Sequence, residues 1–426
     1  MAPKLNVTIG TAFGGAGIGQ EAVLPVLADA LRKHSLGRLT VFGQRAAGEM
    51  PGMANVTAIE PSMLNVPRML MALSRSAVFV WPGGEVFGRR GEACVGPPST
   101  WDVLRDAARI GSTMLLGRHV MLYGIEAGAV DAPVGRWITR RCLSHRRLVL
   151  TVPDEQSAKA LLDCGVPADK VIVSADPAFA LAGDPAAARE LLSSHGATPG
   201  EPHAVMLPQF ARAGGFISAT LGRVLPWMTF TGRGPAESVA RSLAALADHL
   251  ASAHRLRVLL VCLNSATAQR NLEMCREILS HCSTGKMIVC PHKPQPAGTV
   301  KALLQSARMA ITMSLGGMLL ACGAAVPFIQ ISDRPVLAKC RHIMEEAGLP
   351  AGRQGLPDLC VPASRLAADG ADASDMPRPT LTGMIDRVID QRAELHQKLQ
   401  AFADRRTRLS EVSNRILGVL LEASGT

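Results

Sequence analysis

MAITMSLGGMLLACGAAVPFIQIS, residues 309–332, carries no charge between Arg308 and Asp333. A run of that length is long enough to span a bilayer. Its punctuation supports another reading. Gly316, Gly317 and Gly323 interrupt it, and Val326-Pro327-Phe328-Ile329 restarts as β-rich sequence after a proline. Strand, glycine turn, short helix and strand account for each break. Parallel strands covered by helices on both faces read as continuous apolar runs. The stretch therefore predicts a buried βαβ unit at the centre of a large α/β domain. Such folds place ligands at the turn leaving a strand's carboxyl end, where Gly316-Gly317 falls.

The same alternation extends towards the amino terminus. Leu5–Ile9, Leu39–Phe42, Ala77–Trp81, Val120–Gly124, Leu148–Val152 and Val171–Val173 read as strands, with helices over 20–34, 101–117 and 156–164. Strands at 204–207, 257–263 and 287–290 alternate with helices at 236–253, 266–281 and 298–307 in the second half. Residues 183–203, rich in Ala, Gly and Pro, read as a linker with one short helix. After a polar loop at 363–380, Ile385, Val388, Ile389, Leu395, Leu399 and Phe402 recur at helical spacing. The reading is an α/β protein with two Rossmann-like domains, 1–182 and 204–380, and closing helices over 381–426. A cleft faced by strand carboxyl ends is expected between the domains.

Composition narrows the function. At 426 residues the chain is long for one core, and 48% hydrophobic with 19% charged residues is globular. Tyr123 is the only tyrosine, which argues against aromatic stacking platforms for sugars or single strands. A net charge of +10 suits nucleic acid, an anionic membrane surface or a phosphorylated substrate. Its one concentration, Arg136 to Arg147, forms a basic helical face beside Trp137, Ile138 and Leu143. That face is either simply solvated or steers phosphate-bearing or lipid-linked substrates. No nucleic-acid-binding signature accompanies it, so no nucleic acid partner is expected. Ten cysteines without a C-x-x-C pair suit reduced core thiols, and no metal-ligand set stands out. The first residues lack an apolar signal-peptide core, so a cytoplasmic location is expected.

Several turns carry candidate chemistry. Gly17-x-Gly19-x-x-Ala22 lies between a strand and a helix, where glycines let amides approach an anion. The second strand ends Phe42-Gly43-Gln44-Arg45 without the acid that would hold a ribose, so an anion site or a structural turn fits better than a dinucleotide. Gly83, Gly84 and Glu85 follow a buried strand, with Glu85 a candidate base and Arg89 beyond it a candidate anion grip. Asp154 reads as a helix cap or a catalytic acid, and Asp176 ends the last strand of the first half. In the second half Arg212, Arg233, His292 and Lys293 sit in or beside strand-end loops.

This ordered series resembles the polysaccharide pyruvyl transferase family. Gly17-Ile18-Gly19-Gln20-Glu21-Ala22 is similar to the family's Gly-Asn-x-Gly-Asp-Glu-Ala with one residue skipped, and Pro82-Gly83-Gly84 to its triple-glycine turn. Tyr123-Gly124 with Gly128 echoes its Tyr-Gly-x-Gly segment. Pro153-Asp154-Glu155-Gln156-Ser157 is similar to its Arg-Asp-x-x-Ser, and Gly165-Val166 with Asp176-Pro177 to its Gly-Val and Asp-Pro pairs. The resemblance implies a GT-B-like fold and pyruvyl transfer from phosphoenolpyruvate to a saccharide, with no cofactor. The departures are specific. Ser314, Leu315 and Gly316 occupy the family's Arg-Leu-His, and Pro153 and Gln20 replace an Arg and an Asp. Substrate anions would then rest on Gly17, Gly19, Gly83, Gly84, Ser314 and Gly316, with Arg89, Arg212, His292 and Arg334 as replacement cations. Glu85, Asp154 or His292 would move protons. The acceptor is a saccharide, free or lipid-linked, with peripheral membrane contact in the second case. Two alternatives accompany this reading: a group transferase using a nucleotide-sugar donor, and a binding protein that kept the fold and lost the reaction.

Overall fold

The computed structural model describes residues 5–10, 19–34, 36–42, 56–60, 62–87, 99–116, 119–198, 200–209, 233–263, 268–332, 334–349, 357–364, 366 and 380–425. They form two compact units, Met1–Ala182 with Asp404–Thr426, and Gly183–Ala403.

The first unit is built on a seven-stranded sheet. Its strands are β1 (Leu5–Ile9), β2 (Leu36–Phe42), β3 (Val56–Ile59), β4 (Val78–Pro82), β6 (His119–Tyr123), β8 (Leu148–Val152) and β9 (Val171–Val173). Their order is β3-β2-β1-β4-β6-β8-β9, and every pairing is parallel. Two short strands, β5 (Glu85–Val86) and β7 (Glu126–Ala127), pair apart from it. The helices are α1 (Gly19–Arg32), α2 (Val66–Arg75), α3 (Thr100–Leu115), α4 (Pro133–Leu143) and α5 (Glu155–Asp163). β4 is buried throughout, as strands with helices on both faces must be. α3 starts at a capping box in which Ser99 and Asp102 satisfy each other's amides.

The second unit repeats the plan with six strands: β10 (His203–Leu207), β11 (Arg257–Leu260), β12 (Ile288–Val289), β13 (Met309–Thr312), β14 (Phe328–Ser332) and β15 (Cys360–Pro362). The order is β12-β11-β10-β13-β14-β15, again all parallel. The helices are α6 (Pro185–Ser194), α7 (Arg233–Ser252), α8 (Ala268–His281), α9 (Ala297–Ser306), α10 (Leu315–Gly323), α11 (Arg334–Glu346) and α12 (Leu381–Asp390). The uncharged run of the sequence is β13, α10 and β14, and both strands are buried along their whole length. Among the described residues no helix is long and apolar enough to cross a membrane.

Residues 183–198 are part of this second unit. α6 packs on α9, and the Asp184 amide donates to Gly298 O at 2.9 Å. Gly183 fits that packing closely, since a Cβ there would stand 3.3 Å from Ala302 Cβ and 3.4 Å from Ala302 Cα. β3, α2, α11 and β15 lie outside the elements expected from the sequence. β3 is half exposed and β15 is three residues ending in proline, so neither carries a strong apolar period; α2 is amphipathic but buries no residue fully.

The last helix, α13 (Arg392–Gly425), starts in the second unit, and its residues from Asp404 on belong to the first. Leu417, Leu420 and Leu421 enter the core formed by Val7, Leu27 and Met121. Polar side chains fix its register along the carboxyl ends of β6, β8 and β9. Tyr123 OH donates to Asn414 Oδ1 at 2.6 Å, and Arg406 Nη1 to Pro153 O at 3.1 Å. Ser413 Oγ lies 2.9 Å from Thr151 Oγ1 and 3.0 Å from Ser174 Oγ. Burial, reinforced by the nearby Asp176 charge, pushes the Tyr123 phenol above its usual range, so the hydroxyl remains a donor.

Lys301 in α9 is 3% exposed, and burial lowers its pKa from 10.5 to about 8. The unfolded chain keeps that proton up to the ordinary lysine value, whereas the folded chain releases it near 8. Folding therefore grows more favourable as pH rises through that window. Relative to Lys301→Met, the wild-type chain should gain about 2–3 kcal/mol between the two values. Denaturant titrations of both proteins across the window measure the difference.

Candidate functional site

Each sheet reverses direction once. The chain lays β1, β2 and β3 outward on one side, then returns to place β4 on the other side of β1. β10, β11 and β12 are followed in the same way by β13 on the far side of β10. Loops diverge at such a reversal, and the space beyond the strand carboxyl ends is where open α/β sheets bind ligands.

In the first unit the reversal is lined by β1 and β4. The Gly10 amide donates to Val80 O at 2.8 Å, and a Cβ on Gly10 would stand 2.8 Å from Phe79 Cζ and 2.9 Å from Trp81 Cε3. The chain can leave β1 here only as glycine. β4 ends at Gly83 and Gly84, with φ of 60° and 85°. Gly83 N donates to Tyr123 O at 2.8 Å and Gly84 O accepts from Glu126 N at 3.0 Å, which pins the turn to β6 and β7. Glu85 follows in β5, opposite Glu126. Phe87 then adopts φ 56°, unusual for a residue with a Cβ. Its amide donates to Oδ2 of the fully buried Asp106 at 3.2 Å. The aromatic-free opening of α1 begins at Gly19, while Gly17, Arg89 and Arg212 lie outside the described residues.

Asp154 caps α5, its Oδ1 accepting from Ser157 N at 2.6 Å. It follows β8, two strand spacings or about 10 Å from β4. Asp176 accepts from the Ala178 amide at 2.8 Å and starts a short 3-10 turn.

In the second unit the reversal lies at the turn from β13 into α10. Ser314 is 2% exposed and caps the helix, its Oγ accepting from Gly317 N at 3.0 Å. A Cβ on Gly317 would meet Ser314 Oγ at 3.0 Å and Leu207 Cδ1 at 3.3 Å, so the cap requires a small residue there. The amides of Leu315 and Gly316 open the helix and have no intrahelical acceptor. Beneath the turn, Thr312 Oγ1 donates to Gln330 Oε1 and Gln330 Nε2 to Ser332 Oγ. All three are buried. This chain ties the ends of β13 and β14 and was not visible from sequence, because it depends on the register Thr312↔Gln330. Arg334 opens α11 directly after β14.

His292 is not gathered with these residues. It is exposed, follows the edge strand β12, and stands three strand spacings or about 14 Å from the β13 turn. Its ring faces His195, with centroids 6.4 Å apart. A second group missed from sequence lies elsewhere in this unit: His249, His254 and Asp386, with one carboxylate oxygen shared by two imidazoles.

The family profile described as polysaccharide pyruvyl transferase matches residues 77–333, from β4 to just beyond β14. The chain belongs to this family. The match includes the Gly83-Gly84 turn and the turn from β13 into α10. No curated protein matches the chain by sequence. By fold, it is similar to the Neisseria meningitidis UDP-GlcNAc 2-epimerase bound to UDP-GlcNAc. That comparison has 12% identity and a TM-score of 0.55, covering 98% of this chain and 100% of the other. It is similar also to S. aureus MnaA with UDP, at 11% identity and a TM-score of 0.57 over 97% and 95% of the two chains. Anabaena HepE with UDP-glucose gives 10% identity and a TM-score of 0.53 over 98% and 100%. At such identities the likeness establishes a GT-B-like fold of two Rossmann-like domains.

Gln330→Leu should lower stability by about 1–3 kcal/mol, because the buried Thr312 and Ser332 hydroxyls lose their common partner. Urea denaturation of the variant measures the loss.

Proposed function

We propose that this protein transfers the pyruvyl group of phosphoenolpyruvate to a saccharide or glycan precursor. The observation that carries the reading is the family match, which spans one strand reversal in the second unit and the β4 side of that in the first. In such a transfer C3 of the donor gains a proton and becomes a methyl group. One sugar hydroxyl bonds to C2, and a second displaces inorganic phosphate from the same carbon, leaving a ketal.

The donor brings a carboxylate and a phosphate, so the site must supply cations and amides. In the second unit we assign that role to the opening amides of α10, at Leu315 and Gly316, and to Arg334 at the start of α11. Ser314 spends its oxygen on the helix cap and contributes shape instead of charge. Arg89 and Arg212 are the remaining candidate cations. Glu85, next to the Gly83-Gly84 turn, is our first choice for proton transfer; Asp154 is second, because one of its oxygens is engaged by Ser157.

A nucleotide-linked donor is the second reading. It is favoured by the fold similarity to proteins whose structures hold UDP, UDP-GlcNAc or UDP-glucose. Thermal melting separates the readings. A ligand at about 100 times its Kd stabilises the folded chain by about 2.7 kcal/mol. A rise with phosphoenolpyruvate that Arg334→Ala, Arg89→Ala or Arg212→Ala removes supports the first. A rise with UDP-sugars alone supports the second. Silence with both indicates a fold retained without the reaction.

We assign the acceptor to a lipid-linked saccharide on an anionic membrane surface. Trp101 and Trp137 are 71% and 65% exposed on α3 and α4, with Leu104 and Val134 beside them. The two helices touch near their first turns, where Val103 Cγ2 lies 3.7 Å from a Cβ built on Gly135. Arg136, Arg140 and Arg141 are exposed on the same α4. Aromatic side chains flanked by arginines suit a headgroup layer. Co-sedimentation should be stronger with phosphatidylglycerol than with phosphatidylcholine vesicles, and fall several-fold in Trp101→Ala/Trp137→Ala. Equal, salt-insensitive sedimentation with both lipids would sink the assignment.

A further inference from the structure

The end of α7, the turn after it and α12 bring three ligating side chains together. His249 stands in the last turn of α7, His254 in the turn leading to β11, and Asp386 within α12. Each histidine places Nε2 at 2.7 Å from the same Asp386 Oδ1. The imidazole rings meet edge to face, with centroids 5.4 Å apart. One ligating atom from each of the three lies within 4.8 Å of the other two. We infer that His249, His254 and Asp386 form a binding site for a divalent transition-metal ion of the zinc type.

The donor set selects the class of ion. Two imidazoles and one carboxylate match borderline ions such as Zn²⁺; hard ions such as Mg²⁺ and Ca²⁺ prefer oxygen alone. A tetrahedral ion about 2.1 Å from each ligand sets the ligand atoms about 3.4 Å apart. Each Nε2–Oδ1 pair needs to open by less than an ångström, and the protons now on Nε2 shift to Nδ1. The fourth position is left to water.

The backbone is shaped to this arrangement. The Ala253 amide donates to His249 O at 2.9 Å and the Leu256 amide to Leu250 O at 3.1 Å. Between them Arg255 adopts φ 52°, in the left-handed region that residues with a Cβ seldom occupy. That residue folds the chain back over the helix end and sets His254 beside His249. Non-glycine residues in such conformations cluster at sites with a task. Opposite, α12 buries Leu381, Met384, Ile385 and Val388 against the unit, which leaves Asp386 on its outer side. The histidine side chains are 24% and 19% exposed and the Asp386 side chain 46%, so the imidazoles are largely dehydrated while the carboxylate keeps an entry path.

The site is distinct from the proposed donor site. His254 precedes the first residue of β11, so the three ligands gather at the amino-terminal end of that strand. The turn from β13 into α10 lies at the opposite, carboxyl ends of the same sheet. The ion would therefore clip α12 to α7, closing a loop of 137 residues, and take no part in group transfer.

The test uses the full-length chain stripped of metal by chelation, titrated with Zn²⁺ by calorimetry and with Co²⁺ by absorption. Nine described cysteines are free thiols and compete for either ion, so the cobalt spectrum is needed to separate the two sources. The expected result is one equivalent bound, d–d bands without a thiolate charge-transfer band, and a higher melting temperature. His254→Gln and Asp386→Asn should each weaken binding by at least ~10-fold, the range that even outer-sphere partners command. Asp386→Asn keeps an oxygen to accept both imidazole N–H groups, so it retains the metal-free contact and its fold is checked by its melting curve. No saturable binding, a thiolate band, or unchanged affinity in a folded Asp386→Asn would overturn the site and leave a hydrogen-bonded latch.

Discussion

Parallel pairing is the constraint on which both units depend. A parallel neighbour can be reached only by a crossover, and crossovers put helices on both faces of the sheet. The central strands must then be apolar on both sides, as β4, β13 and β14 are. Every strand also points its carboxyl end the same way. Turns that leave those ends collect at one edge, and where the winding reverses they separate and leave room for a ligand. Gly10, Gly83, Gly84 and Gly317 lie at those places because the backbone there is crowded or left-handed. Burial and the placing of the candidate site thus have one cause.

Features that rest on backbone requirements were readable in sequence. The run 309–332 announced β13, α10 and β14 by an absence of charge broken at glycines, and the turn glycines marked the strand ends. Features that rest on strand order or register were not. His292 follows a strand as clearly as Ser314 does, yet β12 is an edge strand and β13 a central one, and no local pattern distinguishes the two. The Thr312–Gln330–Ser332 chain requires two strands in one register. Asp386 is 137 residues from His249, and nothing at either position alone suggests its partner. β3 was missed for another reason: it is four residues long and half exposed, too little to leave a period.

At the turn from β13 into α10 the departure from the family pattern removes charge. Ser314 is a good helix cap where the family carries an arginine, and with Gly317 it keeps the opening of α10 tight. A helix opening retains a partial positive charge whatever its side chains. The turn has exchanged a mobile, full charge for a fixed, fractional one. The buried Thr312–Gln330–Ser332 chain beneath it ties the strand ends together, which suits the proposed use of the α10 amides.

The first unit is discontinuous in sequence, and this bears on how the protein is made. Synthesis delivers residues 1–182 long before α13, yet Leu417, Leu420 and Leu421 belong to that unit's core, and Ser413 and Asn414 meet the polar ends of β6, β8 and β9. Until α13 has been made, the nascent first sheet has an uncovered apolar face, and Tyr123, Thr151 and Ser174 lack these partners. The whole second unit leaves the ribosome in the interval. The first unit is therefore finished after the second, and a stop between Ala403 and Ser413 harms the sheet that was made first.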